Sequence, residues 1–93
     1  MELSQLAYFR AVARTEHFTR AAEQLHITQP SLSKAIANLE AELGAPLFDR
    51  EGKHVRLNAY GRAFLEEAEQ ILSDARKKAM QRENEIIADA RAE

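Results

Sequence analysis

Thr19-Arg20-Ala21-Ala22-Glu23-Gln24-Leu25-His26-Ile27-Thr28-Gln29-Pro30-Ser31-Leu32-Ser33-Lys34-Ala35-Ile36-Ala37-Asn38-Leu39 is the stretch whose reading decides the fold. It reads as two helices joined by a tight turn. Ala21, Ala22 and Leu25 form the inner face of a short helix that runs to about His26. Thr19 is its expected N-cap, because a threonine hydroxyl can accept a hydrogen bond from a free backbone N–H of the next turn. Ile27 lies in the turn, and Thr28 is the second expected N-cap. Pro30 falls in the first turn of the following helix, where its missing N–H costs little. The same proline disfavours a mid-helix conformation at Gln29, so the two helices are not continuous. Leu32, Ile36, Leu39 and Leu43 give the later helix an apolar stripe at spacings of 4, 3 and 4. Gly44 suits the position after a helix end, and Pro46 stops any continuation.

Working outward, Leu3 to Arg14 places Leu3, Leu6, Phe9, Val12 and Ala13 on one helical face. Thr15-Glu16-His17-Phe18 breaks that pattern. After Pro46, Leu47-Phe48 and Val55-Arg56-Leu57 are short apolar pieces joined by Asp49 to His54, with Gly52 near the middle. They read as a small two-stranded hairpin. Asn58 can cap a last helix from about Ala59 to about Ala90, and Gly61 lies only in its first turn. Its stripe is Phe64, Ala68, Ile71, Ala75, Ala79, Ile86 and Ala90, interrupted at Arg82. Phe64, Ala75 and Ile86 are 11 apart, which keeps the stripe nearly straight. Such a helix is roughly 48 Å long. The first 57 residues cannot cover it, so its far end projects. Left bare, the stripe is a contiguous apolar patch. Two antiparallel copies bury it in a two-fold contact, so the sequence predicts a homodimer through Phe64, Ala68, Ile71, Ala75, Ala79 and Ile86.

Composition excludes several classes. The chain has 93 residues, 45% hydrophobic and 30% charged, with only 3 Gly and 2 Pro, which is too apolar and unbroken for disorder. It has no Cys, which removes disulfides and thiolate metal sites and makes the cytoplasm the expected compartment. No apolar run approaches a membrane span, and Met1-Glu2-Leu3-Ser4 has no basic flank or apolar core of a signal peptide. No membrane partner is expected. The net charge of −2 argues mildly against nucleic acid. However, residues 1–57 hold seven basic and seven acidic side chains, while 58–93 hold six and eight. The deficit therefore belongs to the last helix, and a DNA-binding reading needs its positive charge on one local face.

Helix, short helix, turn, helix and hairpin is the order of a winged helix-turn-helix. The face of the third helix opposite its stripe carries Lys34, Ala37, Asn38 and Ala41, flanked by Ser31 and Ser33. Its acids, Glu40 and Glu42, lie at the C-terminal end. Such a helix can enter a major groove N-terminus first, its dipole favouring phosphate. Gln29 and Asn38 carry amides that suit adenine, Ser31 and Ser33 suit either base type, and Lys34 suits guanine or a phosphate. Arg50, Lys53 and Arg56 lie within seven residues on the hairpin, where they can reach phosphates or a minor groove. No enzyme is indicated. His17, His26 and His54 fall in three different elements without ligand spacing, and no nucleophile motif frames any serine, so no catalytic residue, cofactor or metal is expected. Glu66, Glu67, Glu69 and Asp74 read as a solvated face, with Arg62–Glu66 and Asp74–Lys78 at i,i+4.

A resemblance sharpens this reading. It is carried by Leu3-Ser4-Gln5-Leu6-Ala7-Tyr8-Phe9, by Phe18 through Ser33, by Leu39-Glu40-Ala41-Glu42-Leu43-Gly44-Ala45-Pro46-Leu47-Phe48-Asp49-Arg50, and by Arg56-Leu57-Asn58-Ala59-Tyr60-Gly61. On these stretches residues 1–72 closely resemble the N-terminal DNA-binding domain of LysR-type transcriptional regulators. The resemblance implies a mainly α fold: a winged helix-turn-helix of three helices and a two-stranded wing, then a long dimerisation and linker helix. On that division residues 1–58 bind double-stranded DNA and residues 59–93 form the linker. It implies base reading by Gln29, Pro30, Ser31, Ser33 and Lys34 within the run that begins at Thr28. Thr19 and Arg20 would lie near phosphates, and Lys53 at the wing tip. It also implies a C-terminal effector-binding domain that is not among these 93 residues. A small-molecule effector is expected to act only through that domain, and a tetramer is open to the full-length protein. Lys34 stands where the family commonly has Arg, which loses a rigid bidentate fork. Ala37 and Asn38 stand where it is often basic, so weaker electrostatic affinity is expected. The competing reading is a helical interaction module that has lost DNA binding and uses the Phe64-to-Ala90 stripe. The Thr28-to-Lys34 run favours DNA, since an interaction module has no need of that outer face.

Overall fold

The computed structural model describes the backbone of residues 1–92 and the side chains of residues 1–81. The elements are α1 (Leu3–Thr15), α2 (Phe18–Leu25), α3 (Gln29–Leu43), β1 (Phe48–Glu51), β2 (His54–Leu57) and α4 (Ala59–Ala92). Mainly helical, with one antiparallel two-stranded wing, this is a winged helix-turn-helix.

Apolar periodicity explains the helices. Leu6, Phe9 and Val12 of α1, Ala21 and Ala22 of α2, and Leu32, Ile36 and Leu39 of α3 meet in one core with Leu47, Phe48 and Val55. Phe9 is at its centre, with ring centroids 5.5 Å from Phe48 and 5.3 Å from Phe64. The turn between α2 and α3 follows the expected chemistry: the Ser31 backbone N–H donates to Thr28 Oγ1 at 3.2 Å, and Pro30 sits in the first turn. Gly44 ends α3 in the left-handed region at φ 74°.

The start of α2 differs from the sequence reading. Its N-cap is His17, whose Nδ1 accepts the Arg20 N–H at 3.3 Å, and Thr19 lies inside the helix. Phe18, read as part of a break, opens α2 and is buried. With Ala21, Ala22 and Leu25 it completes an i, i+3, i+4, i+7 face. The chain leaves α1 through Glu16 and α2 through His26, both left-handed without being glycine. Only a surrounding structure that fixes them sustains such conformations. At Glu16 the restraint is visible, since its carbonyl accepts the Val55 N–H of β2 at 3.0 Å.

The wing is longer in strand and shorter in loop than expected. Phe48 pairs with Leu57, Asp49 with Arg56, Arg50 with Val55 and Glu51 with His54, so only Gly52 and Lys53 form the turn. Gly52 takes φ 61°, as a tight hairpin requires. The base of the wing is pinned by Glu40, whose carboxylate accepts the Leu47 N–H at 2.7 Å, and by Asn58, which donates to the Pro46 carbonyl and caps α4 through the Gly61 N–H.

The stripe of α4 is divided. Phe64 and Ala68 are 7% and 0% exposed and belong to the chain's own core against α1, so little of either is left for a partner. Ile71 is 43% exposed, Ala75 is half-buried and Ala79 is exposed. Ile86 lies outside the residues whose side chains are described. The two i,i+4 ion pairs expected on α4 are replaced by other contacts. Arg62 donates to the Leu57 carbonyl, Asp74 accepts from Gln70, and Glu69 pairs with Arg14 of α1 at 3.3 Å.

Candidate nucleic-acid interface

The first turn of α3 presents a preorganised polar surface. Thr28 Oγ1 accepts from the Ser31 N–H and donates to Ser31 Oγ at 2.7 Å, and Gln29 Nε2 donates to Ser33 Oγ at 2.9 Å. These bonds join Thr28 to Ser31 and Gln29 to Ser33, while each side chain keeps further donor or acceptor capacity. Thr28, Gln29, Pro30 and Ser31 are exposed, and Ser33 is half-buried. Lys34 and Asn38 follow along the exposed flank of the helix, and Lys34 has no ion pair among the described residues.

Beside this surface lies an open cleft of about 500 Å³ between the starts of α2 and α3 and the wing. Thr19, Gln29, Arg50 and Lys53 line it together, so the structure brings residues from three elements to one site. His17 and Phe18 line it too. Sequence reasoning did not assign them, though the 18, 21, 22, 25 spacing was a usable signal for Phe18. Strand alternation explains Arg50. It shares a face with Val55 and Phe48, and its guanidinium carbon sits 4.9 Å from the centre of the Phe18 ring. Asp49 and Glu51 alternate onto the opposite face, and among the described residues no acidic side chain lines the cleft.

Two predicted residues lie elsewhere. Arg56 is on the far face of the wing, its Nε 3.6 Å from the Glu16 carboxylate, beside a separate groove formed with Thr15, Glu51 and His54. Arg20 is exposed on α2 but does not line the cleft. The acids of α3 are at its far end and engaged, Glu40 with the Leu47 N–H and Glu42 with the Met1 amine at 3.0 Å. No cluster of metal-ligating side chains occurs among the described residues, and none of their helices is long and apolar enough to cross a membrane.

An acid-free polar helix end joined to a basic wing defines a DNA-binding winged helix-turn-helix domain of a transcription regulator. Residues 3–62 match the model of the bacterial regulatory helix-turn-helix proteins of the lysR family, and the chain belongs to that family. It is 47% identical over 91 residues to the Hca operon transcriptional activator HcaR of Escherichia coli, covering 98% of this chain and 30% of that protein. It is 55% identical over 73 residues to the HTH-type transcriptional regulator BudR of Klebsiella aerogenes, covering 78% and 51%. The chain thus spans between about a quarter and a half of the length of these curated relatives. Among solved structures it is similar to the DNA-binding domain of CbnR in complex with DNA, with a TM-score of 0.87 and 38% identity over 92% of this chain and 99% of that one. The DNA-binding domain of BenM with benA site 1 DNA gives 0.85 and 39%, over 90% and 98%.

Proposed function

We propose that this chain reads a specific DNA sequence with the first turns of α3 in the major groove and the wing on the backbone or minor groove. Residues 1–58 do the reading, and residues 59–93 link and pair two copies. The observation that carries this is the preorganised Thr28–Ser33 surface adjoining a cleft lined by Arg50 and Lys53 without an acid. Gln29, Pro30, Ser31, Ser33, Lys34 and Asn38 face base edges, while Thr19, Arg20, Arg50 and Lys53 hold phosphates. Arg56, paired with Glu16 on the far face, contributes little. The chain acts by binding rather than catalysis, in the cytoplasm, and any small-molecule effector acts through a separate C-terminal domain. Dimerisation uses Ile71, Ala75, Ala79 and Ile86, with Phe64 and Ala68 supporting the helix from inside. A selection of bound duplexes from a random pool, followed by a salt titration on the winner, tests the reading. A consensus with a steep negative slope of log K against log salt supports it. An interaction module without DNA binding gives neither.

A further inference from the structure

We propose that Phe18 is a positioning residue for DNA binding: its ring holds the Arg50 guanidinium in the cleft, where that cation takes one backbone phosphate. The proposal rests on the DNA-binding reading and adds to it a residue that acts through Arg50. The platform is part of the core. Phe18 is buried, and its ring meets Phe48 at 6.3 Å between centroids, which in turn packs on Phe9 at 5.5 Å. Arg50 lies over that platform at 4.9 Å from the ring centre. A guanidinium held over a ring by its charge spends none of its N–H groups on the contact, so they stay available to fork a phosphate. None of the three ion pairs among the described residues includes Arg50. Its charge therefore lines the cleft without a counter-ion among the described residues, beside Thr19 and Lys53. An arginine already held over a ring surrenders less side-chain freedom on binding than one that swings free.

A phosphate contact is independent of sequence, so one mixed-sequence duplex is a sufficient probe. The whole chain is compared as unmodified protein, Phe18→Leu, Arg50→Met and the double variant, with melts run to compare folded fractions. Arg50→Met should flatten the salt slope by about one. Phe18→Leu should weaken binding about two- to fivefold, the size of an exposed cation–π contact. In the Arg50→Met background Phe18→Leu should weaken it no further. Phe18→Tyr, which keeps the ring, should bind as the unmodified chain does. The Arg50 δ-protons should also show an upfield ring-current shift in NMR spectra of the unmodified chain, a readout that needs no variant to fold. An equal loss from Phe18→Leu in both backgrounds would make Phe18 merely structural and overturn the proposal, as would unshifted δ-protons. An unchanged slope in Arg50→Met would remove Arg50 from the phosphate while leaving the DNA-binding reading intact. No salt-dependent binding by the unmodified chain would sink both.

Discussion

Gly61 is buried in the first turn of α4, directly against the base of the wing. A Cβ built there overlaps the Leu47 carbonyl oxygen and lies 2.9 Å from Leu57 Cδ2. The backbone at Gly61 is not left-handed, so alanine meets no conformational penalty, and by helix propensity Gly61→Ala should stabilise by up to about 1 kcal/mol. The overlap acts against that. Its main obstacle is backbone rather than a side-chain end, so either α4 or Leu47 must move. Overpacking of this kind costs about 1–3 kcal/mol. The same carbonyl accepts the Asn58 N–H at 3.0 Å, and Asn58 Oδ1 accepts the Gly61 N–H at 2.7 Å. Losing one of these bonds adds about 1 kcal/mol. The net expectation is destabilisation by about 1–3 kcal/mol, a fall in melting temperature of roughly 5–20 °C for a domain of this size. Because Leu47 leads into β1, the wing should shift as well, and DNA affinity should fall more than the folded fraction does. Calorimetry or circular-dichroism melts of Gly61→Ala, with duplex binding well below the melting point, check both parts. An unchanged or higher melting temperature would refute the close-approach argument.

Lys34→Ala should cost about 1–3 kcal/mol on the selected site and less on a scrambled duplex, while Lys34→Arg should hold or raise affinity and sharpen preference for guanine, all read from titrations at one salt concentration. Lys53→Ala, in the turn of the wing, should lower the salt slope by about one without changing the preferred base at any position. Arg56→Ala should leave that slope unchanged, because the exposed Arg56–Glu16 pair faces away from the cleft; a slope change equal to that of Lys53→Ala would put Arg56 on the DNA. Ile71→Glu should shift the chain toward monomer in sedimentation velocity at tens of micromolar with little change in melting temperature, since Ile71 is 43% exposed and Phe64 already fills the core.

Thr28 and Pro30 announced the start of α3 because a hydroxyl cap and a fixed proline φ act locally. The start of α2 was not legible in that way. Histidine is no favoured cap, so the rule passed over His17 to the nearest threonine, and with it missed that Phe18 belongs to the helix face. No glycine marks the turns at Glu16 and His26. Asp49, Arg50 and Glu51 look like loop residues. They become strand because residues 54–57 pair with them, and the Glu16 carbonyl ties down Val55 at the free edge. The periodicity of α4 carries no information about where the core stops. That boundary is set by how far α1 runs alongside, which leaves Phe64 and Ala68 inside and Ile71 outside.

The same distinction resolves the charge problem. A chain with net charge −2 binds a polyanion only if its acids are kept from the binding face. In residues 1–57 the folded chain does this largely by engaging or turning away its acids. Glu40 is held by the Leu47 N–H, Glu42 by the Met1 amine and Glu16 by Arg56. Asp49 and Glu51 are turned by strand alternation to the face of the wing away from Arg50. Glu69 on α4 is matched to Arg14. The exposed pairs add little stability, a fraction of a kcal/mol each at most. Their effect is one of placement: Arg56 and Arg14 are held beside acids, while Lys34, Arg50 and Lys53 are left without a counter-ion among the described ion pairs. At physiological salt, charges farther apart than about 8 Å across solvent are largely screened, so a bound phosphate responds to its neighbouring cations more than to the distant acids of α4. Hence the cleft is locally positive, lined by Arg50 and Lys53, although the sequence as a whole is net negative.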